Sequence, residues 1–169
     1  MRKAFAICAV LISFFVLGGM AYAPTHVTMG NMENYNATIH RGGFFYENAV
    51  ITTQAEMEMY IQKIMAEFLR DDAIVPDGYW QQMESMVREF YGAFNEEFFT
   101  SQKLVIAMVD QGSGNVKYAA ENLAVEDGVA TITIRRDAPM IQTMDFVTWI
   151  LLLEVPNTYT ISQTVVNLI

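Results

Sequence analysis

Apolar residues follow a helical period in the first half of the chain. From residue 57 to 69 they recur at the i, i+3, i+4 spacing of one helix face: Met57, Tyr60, Ile61, Ile64, Met65, Phe68 and Leu69. Thr53 and Glu56, just before them, match a capping box at a helix start. A second helical pattern follows a Pro-Asp-Gly break at residues 76–78 and uses these residues: Trp80, Met83, Met86, Val87, Phe90 and Phe94. Two helices are therefore predicted within residues 53–100.

The period of the apolar positions changes to two after Lys103, which predicts β-strands. Residues 104–109 and 131–134 alternate, and residues 149–155 form an almost continuous apolar run. Residues 44–52 predict a first strand before the helices. Turn-like sequences at 111–115, 126–128 and 137–145 separate the later strands. We expect an α+β fold, with two helices packed on an antiparallel β-sheet or a small sandwich-like β-domain, and residues 150–153 in a central strand.

The first 23 residues have the three parts of a signal peptide. A basic start at residues 1–3 precedes an uncharged apolar run at 4–17, and small residues follow it. Cleavage is expected after Ala21 or after Ala23; Pro24 makes the second bond a tertiary amide. A retained anchor is the alternative, because the uncharged stretch has about the 20 residues that span a bilayer. The N-terminus predicts a secreted or cell-envelope protein.

The remainder of the chain predicts a short lead-in and one domain. Residues 24–43 lack periodicity and are rich in Asn, Thr and Gly, so we expect a flexible lead-in. Residues 44–169 are expected to form a single α+β domain, with a helical part at 53–100 and a β part at 103–156. Cleavage after Ala23 leaves 146 of the 169 residues, which is enough for one domain with a sizeable core.

Charge and cysteine content exclude several classes of function. The whole chain has a formal charge of −9, which becomes −11 when Arg2 and Lys3 are removed with the signal peptide. Such acidity argues against binding nucleic acid or an anionic membrane, both of which attract clustered Lys and Arg. The only cysteine is Cys8, inside the signal segment. The mature chain therefore has no disulfide, cysteine nucleophile or thiolate metal site.

Residues 112–115 (Gly112, Ser113, Gly114 and Asn115) form a glycine-containing connection between two predicted strands, with Tyr118 close behind. A phosphate-binding loop would need Gly-Lys-Ser/Thr before a helix, whereas Lys117 lies three residues beyond Gly114 and a strand follows. A nucleophile elbow would need glycines at 111 and 115. Two interpretations stay open. The connection is either a plain hairpin turn or a hairpin whose tip binds a partner.

Other chemistry-bearing residues favour structural roles. His26 and His40 are the only histidines and both lie in the predicted lead-in, so a His-based triad or zinc site is not expected. Glu96 and Glu97 are sequence neighbours, whose side chains do not converge as a glycosidase pair does. Met57 and Met59 diverge on a helix, which favours core packing for Met57 over copper binding. We therefore predict no catalytic residue, no metal and no cofactor.

Five segments together resemble the C-terminal domain family of the PrcB-type protease-complex subunits. The resemblance covers residues 49–156 and rests on these stretches: AVITTQAE (49–56), FNEEFF (94–99), LVIAMV (104–109), GSGNVKY (112–118) and WILLLEVP (149–156). That family contains small exported bacterial domains with a strand, a glycine-rich loop, an aromatic residue and another strand at their centre. The resemblance implies binding to a protease and stabilising it, not hydrolysis. It assigns the contact to Gly112, Gly114 and Tyr118.

Two functions of different classes follow. The first is an exported noncatalytic interaction domain, such as a subunit or regulator of an extracytoplasmic protease complex, whose protein partner contacts residues 112–115 and the adjacent 137–145 connection. The second is a hydrolase of envelope polymers that uses carboxylates brought together by the fold. Two buried carboxylates about 5–10 Å apart in a cleft would favour the hydrolase. A cluster of loops at one end of the sheet would favour the interaction domain.

Overall fold

The computed structural model describes residues 27–31, 35–69, 78–143 and 147–169. The predicted signal peptide lies outside these residues. The described strands are β1 (Val27–Asn31), β2 (Ala37–Arg41), β3 (Ala49–Ile51), β4 (Gln102–Gly112), β5 (Lys117–Glu126), β6 (Val129–Asp137), β7 (Val147–Pro156) and β8 (Gln163–Leu168). The described helices are α1 (Gln54–Leu69), α2 (Tyr79–Phe90) and α3 (Glu96–Phe99).

The strands form two four-stranded sheets. One sheet has the order β2-β7-β4-β3, and the other has the order β1-β5-β6-β8. Neighbouring strands are antiparallel except β6 and β8, which are parallel. The described part is thus a mixed α/β fold, with more strand than helix and a sandwich-like pair of sheets. Strand β7 lies between β2 and β4, which confirms the predicted central position of residues 150–153.

The sheet that contains β4 and β7 is covered on both faces. Val105 and Leu151 on one face pack against Leu123 and Ile132 of the other sheet. On the opposite face, neighbouring residues of the same strands pack with residues from the helical region: Leu104, Ile106, Ile150 and Leu152 with Met57, Ile64, Val87 and Tyr91. Both faces of β4 and β7 are therefore apolar, which explains the nearly continuous apolar sequence of β7.

Helix α1 begins with the predicted capping residues. The Thr53 hydroxyl oxygen accepts a hydrogen bond from the Glu56 backbone N–H at 3.1 Å. The Glu56 carboxylate accepts from the backbone N–H and the hydroxyl of Thr52, at 2.6 and 2.7 Å. These two bonds hold the pKa of Glu56 below its usual value, although partial burial acts the other way. The cap joins the end of β3 to the start of α1.

The connection between β5 and β6 is a two-residue turn formed by Asp127 and Gly128, within the turn predicted at residues 126–128. Glu126 pairs with Val129 across it, and the φ angles of Asp127 and Gly128 are 49° and 80°. Positive φ at both central residues matches the right-handed twist of the flanking strands, and Asp-Gly tolerates it. This hairpin was recognisable from the sequence because its turn chemistry is local.

The flexible lead-in predicted for residues 24–43 is wrong for the described part, because that segment contains β1 and β2. Strand β2 pairs with β7 from Ala37↔Leu153 to Arg41↔Trp149. Ala37 and Ile39 pack against the core between the sheets, and the His40 ring packs edge-on against Phe90 at 4.9 Å. Pairing with β7 stabilises β2. The alternation of apolar and polar residues in β2 covers only five positions, which is too short to predict a strand from the sequence.

Three further expectations about strands differ from the structure. The first strand, predicted at 44–52, is only Ala49–Ile51, because Phe44 and Phe45 pack on the helical core from a loop. Strand β8 lies beyond the predicted β part at 103–156. Residues 112–115 are not a hairpin, because β4 and β5 belong to different sheets. A period of two identifies a strand but not the strand that pairs with it.

We predict that Leu151→Ala and Leu152→Ala each lower the free energy of unfolding by about 2–5 kcal/mol, because each removes buried methyl groups and leaves a cavity. The two side chains point to opposite faces of β7, and neither is more than 5% exposed. Leu168→Ala is the matched control, since Leu168 is 40% exposed and should lose about 1 kcal/mol or less. Denaturant unfolding measures all three. A loss below ~1 kcal/mol for either core variant would contradict two-sided burial of β7.

We also predict that Glu56→Gln destabilises the protein at pH 7 by about 0.5–1 kcal/mol, because the amide keeps an acceptor but loses the charge near the helix N-terminus. The folded-state pKa of Glu56 is lowered, so its contribution is present above the ordinary carboxyl pKa of 4.5 and is lost as the pH falls through the folded value. Unfolding curves of the two proteins should therefore converge in acid. A difference that stays constant down to pH 3 would contradict this role of the carboxylate.

Candidate functional site

The connection between β4 and β5 crosses from one sheet to the other, and Ser113 anchors it. Ser113 is 6% exposed. Its Oγ donates to Asn115 Oδ1 at 2.6 Å and lies 2.7 Å from Thr143 Oγ1. Val116, three residues later, is also buried. Ser113 is therefore an internal polar link, and not the exposed tip of a hairpin.

Asn115 ties this connection to the loop that follows β6. Its Nδ2 donates to the Ile141 carbonyl oxygen at 3.0 Å, and its Oδ1 accepts from the Thr143 backbone N–H at 3.3 Å. The amide of one side chain thus satisfies backbone groups of a loop with no regular structure of its own. The structure brings together the two connections that the sequence suggested as a joint contact surface.

Two exposed apolar side chains, Met140 and Ile141, lie on the loop held by Asn115; we call this pair the apolar tip. Met140 is 102% exposed and Ile141 is 82% exposed. They are the two most exposed large apolar side chains of the described residues. Their side chains contribute little apolar burial to the fold, whereas the Ile141 backbone is fixed by a hydrogen bond.

Tyr118 belongs to a polar cluster that connects the two sheets. Its hydroxyl donates to Asp110 Oδ2, and Arg136 Nε lies 3.5 Å from the same oxygen. Asp110 is on β4, whereas Tyr118 and Arg136 face each other on β5 and β6. The Tyr118 ring also packs on Trp149 at 5.0 Å between centroids.

The protonated form of Tyr118 is favoured in this cluster. Burial raises the pKa of Tyr118, and its hydrogen bond to the Asp110 carboxylate raises it further, while Arg136 has the opposite effect. The phenol therefore stays a hydrogen-bond donor at neutral pH. Tyr118 joins the sheets beneath the two loops.

Gly112 is the last residue of β4 and needs no special backbone conformation. The positive-φ residues in the described part are Gly42, Gly43, Gly78, Asp127 and Gly128. A Cβ at Gly112 would lie 3.5 Å from Asp110 Oδ2, which is an ordinary contact. Gly112 is therefore not held in the left-handed conformation that favours glycine. Gly114 follows Ser113 in the same connection and lies beside Asn115.

Buried polar and charged side chains are few in the described residues. The buried polar or charged side chains among them are Lys103 and Ser113, so no buried pair of carboxylates occurs there. Lys103 Nζ donates to the Tyr159 carbonyl oxygen at 2.6 Å. In the same residues, no group of three or more His, Cys, Asp or Glu side chains is placed to hold a metal ion.

Two surface grooves flank α1. One, of about 350 Å³, lies between α1 and α2 and is lined by Ile61, Met65, Trp80 and Arg88 among others. Arg88 in this groove is paired with both Glu58 and Glu84, at 2.7 and 2.9 Å. The other, of about 480 Å³, lies between β3 and α1 and contains the capping carboxylate Glu56. The charged groups named here already have partners within the chain.

Comparison of the chain with protein-family models, curated proteins and solved structures gives no match. Within the described residues, no helix combines the length and apolarity needed to cross a membrane. The geometry alone therefore defines the candidate site, which consists of the apolar tip, Ser113, Asn115 and Thr143 that hold it, and the Asp110–Tyr118–Arg136 cluster below.

Sequence reasoning identified only part of this site. Ser113, Asn115 and Tyr118 were expected in it, but as an exposed contact surface. The 137–145 connection was expected at the contact, but its members Thr143, Met140 and Ile141 were not singled out individually, and neither was Asp110. The adjacent Met140 and Ile141 in a turn-like segment were a usable signal, because two large apolar residues between strands are unusual on a solvated surface. Tertiary contacts determine the remaining residues.

We predict that Asn115→Ala loosens the loop at residues 138–143, because two backbone groups there lose their partner. Protease cleavage within this loop should become several-fold faster, and stability should fall by about 1 kcal/mol. Gln111→Ala is the matched control, since Gln111 is an exposed amide four residues earlier. Mass spectrometry of limited-proteolysis products locates the cut. Equal cleavage rates in the two variants would mean that Asn115 does not hold the loop.

Proposed function

We propose that this chain is an exported, noncatalytic interaction domain that binds a protein partner through the apolar tip, as a subunit or regulator of an extracytoplasmic protease complex. The observation that carries the proposal is that Met140 and Ile141 combine exposed apolar side chains with a loop fixed by hydrogen bonds. Their side chains are almost fully exposed, while the loop that bears them is held by Asn115 through two hydrogen bonds.

A loop that is fixed by hydrogen bonds and presents exposed apolar side chains is well suited to binding a protein partner. Burial of two large apolar side chains is favourable by roughly 1.5–3 kcal/mol each. Because the loop is already ordered by its hydrogen bonds, less conformational entropy is lost when a partner binds. Residues 112–115 support the contact from below in this proposal, and the glycine connection itself is not the contact surface.

The class of partner is supported by the sequence. The signal-peptide pattern at residues 1–23 supports export, and the thiol-free mature chain is consistent with an extracytoplasmic location. The resemblance of residues 49–156 to the PrcB-type subunit domains supports a protease as the partner. The finer fold statement, two helices packed on an antiparallel sheet, agrees with the core that joins α1 and α2 to β4 and β7.

A hydrolase of envelope polymers is the less favoured function. It requires carboxylates that converge in a cleft, and no carboxylate side chain is buried in the described ranges. Asp110, the carboxylate within the candidate site, already accepts from Tyr118 and lies beside Arg136. Such a carboxylate is suited to holding the two sheets together.

We predict that Met140→Glu abolishes retention of the partner without unfolding the protein. A charge at a fully exposed position should change stability by less than about 0.5 kcal/mol, whereas a carboxylate in an apolar contact is costly to desolvate. The measurement is pull-down of the tagged protein from the native cell envelope, with the retained proteins identified by mass spectrometry.

Met59→Glu is the matched control, because Met59 is a 56% exposed methionine on α1, remote in sequence from the tip. The proposal requires that a protease or its complex is retained by the wild type and by Met59→Glu, and is lost from Met140→Glu. Retention by Met140→Glu with unchanged affinity would show that the tip is not the contact surface.

A further inference from the structure

The two sheets end in four edge strands, and three of these carry features that discourage pairing with another chain. The register of β1 on β5 is interrupted between Thr28 and Asn31. Strand β2 ends in the charged residue Arg41, and β3 has only three residues. Irregular register, charge and short length each protect a sheet edge from intermolecular pairing.

Strand β8 has none of these features. Its six residues, QTVVNL, contain no charge and no proline. It pairs with β6 without interruption from Val129↔Gln163 to Ile134↔Leu168. Leu168 and the following Ile169 are 40% and 66% exposed, so this end of the edge is open to solvent. An uncharged, β-branched edge of this length is a site for strand addition.

The backbone hydrogen bonds show which groups of β8 point away from β6. Ile169 N–H donates to the Ile134 carbonyl, and Arg136 N–H donates to the Ile169 carbonyl. Backbone groups of alternate residues in a strand point to opposite sides, so residues 165 and 167 also face β6. The N–H and C=O groups of Thr164, Val166 and Leu168 therefore point outwards, to the side of β8 where the described residues place no further strand of the sheet.

We propose that this edge pairs with the same edge of a second copy of the chain, so that two β8 strands run antiparallel across a twofold axis. The chain has a formal charge of −9, so two copies repel each other over most of their surfaces. The uncharged β8 edge lets them meet without placing like charges opposite each other. The paired sheets would form one continuous eight-stranded sheet.

The size of this contact determines its strength. One six-residue strand pair falls in the class of small interfaces below ~1,200 Å². Such contacts are weak and reversible, so the dimer should depend on protein concentration. Sedimentation-velocity ultracentrifugation of the mature chain from about 1 to 300 μM should show a monomer that converts to a dimer.

Val165→Glu tests the edge. Val165 is 36% exposed on the outer face of β8, and a carboxylate there would add negative charge at the contact of two already acidic molecules. Thr131→Glu is the matched control, because Thr131 is the β6 residue paired with Val165, one strand in from the edge. We expect Val165→Glu to remain a monomer over the whole range, while Thr131→Glu dimerises like the wild type.

Leu168→Pro provides a second test that adds no charge. Its missing N–H belongs to the outward-facing set, so the bonds to β6 are kept and only the free edge loses a donor. This variant should be monomeric with a melting temperature close to that of the wild type. A wild type that stays monomeric at 300 μM, or a dimer that persists in both variants, would overturn the proposal.

The tip variant separates this inference from the proposed function. Met140→Glu should dimerise normally, and Val165→Glu should still retain the partner bound by the tip. If Met140→Glu is the variant that abolishes dimerisation, the copies meet through the apolar tip and pairing through β8 is wrong.

Discussion

Pairing of β4 with β7 is the interaction on which the rest of the structure depends. The two strands pair from Gln102↔Pro156 to Gly112↔Val147, and both have buried apolar residues on each face. A sheet of this composition is stable only when both faces are covered. Buried residues of the helical region pack on one face, and residues of the β1-β5-β6-β8 sheet pack on the other.

The same pairing explains why polar residues gather at one end of the sandwich. The register of β4 on β7 shifts between Met108 and Asp110. At this irregularity β4 is covered less completely, because Met108 is exposed and Asp110 is partly exposed, whereas Val109 between them stays in the core between the sheets. Asp110 accepts a hydrogen bond from Tyr118 and lies beside Arg136, and both of these residues belong to the other sheet. The connection from β4 to β5 crosses between the sheets directly above this cluster, and so brings Asn115 to the loop that carries the apolar tip.

Features set by neighbouring residues were predictable from the sequence, and features set by distant pairing were not. The α1 cap, the buried face of α1 at Met57, Tyr60 and Ile64, and the Asp127-Gly128 turn all depend on residues within a few positions of one another. Strand β2 was missed because its stability comes from β7, more than a hundred residues away. Ser113 was expected to be exposed because small polar residues are typical of turns, and only Thr143 and Asn115 explain its burial.

The placement of the lysines has a practical consequence for mapping contacts by chemical labelling. The chain has four lysines: Lys3, Lys63, Lys103 and Lys117. Lys3 lies outside the described residues, and Lys103 is buried against a backbone carbonyl. Amine acetylation of the described part therefore samples Lys63 on α1, which is ion-paired with Glu47, and Lys117 at the start of β5. Lys117 comes two residues after Asn115, so a molecule that covers this end of the sandwich should reduce the acetylation of Lys117. Acetylation of Lys63, on the helical layer, serves as the internal reference.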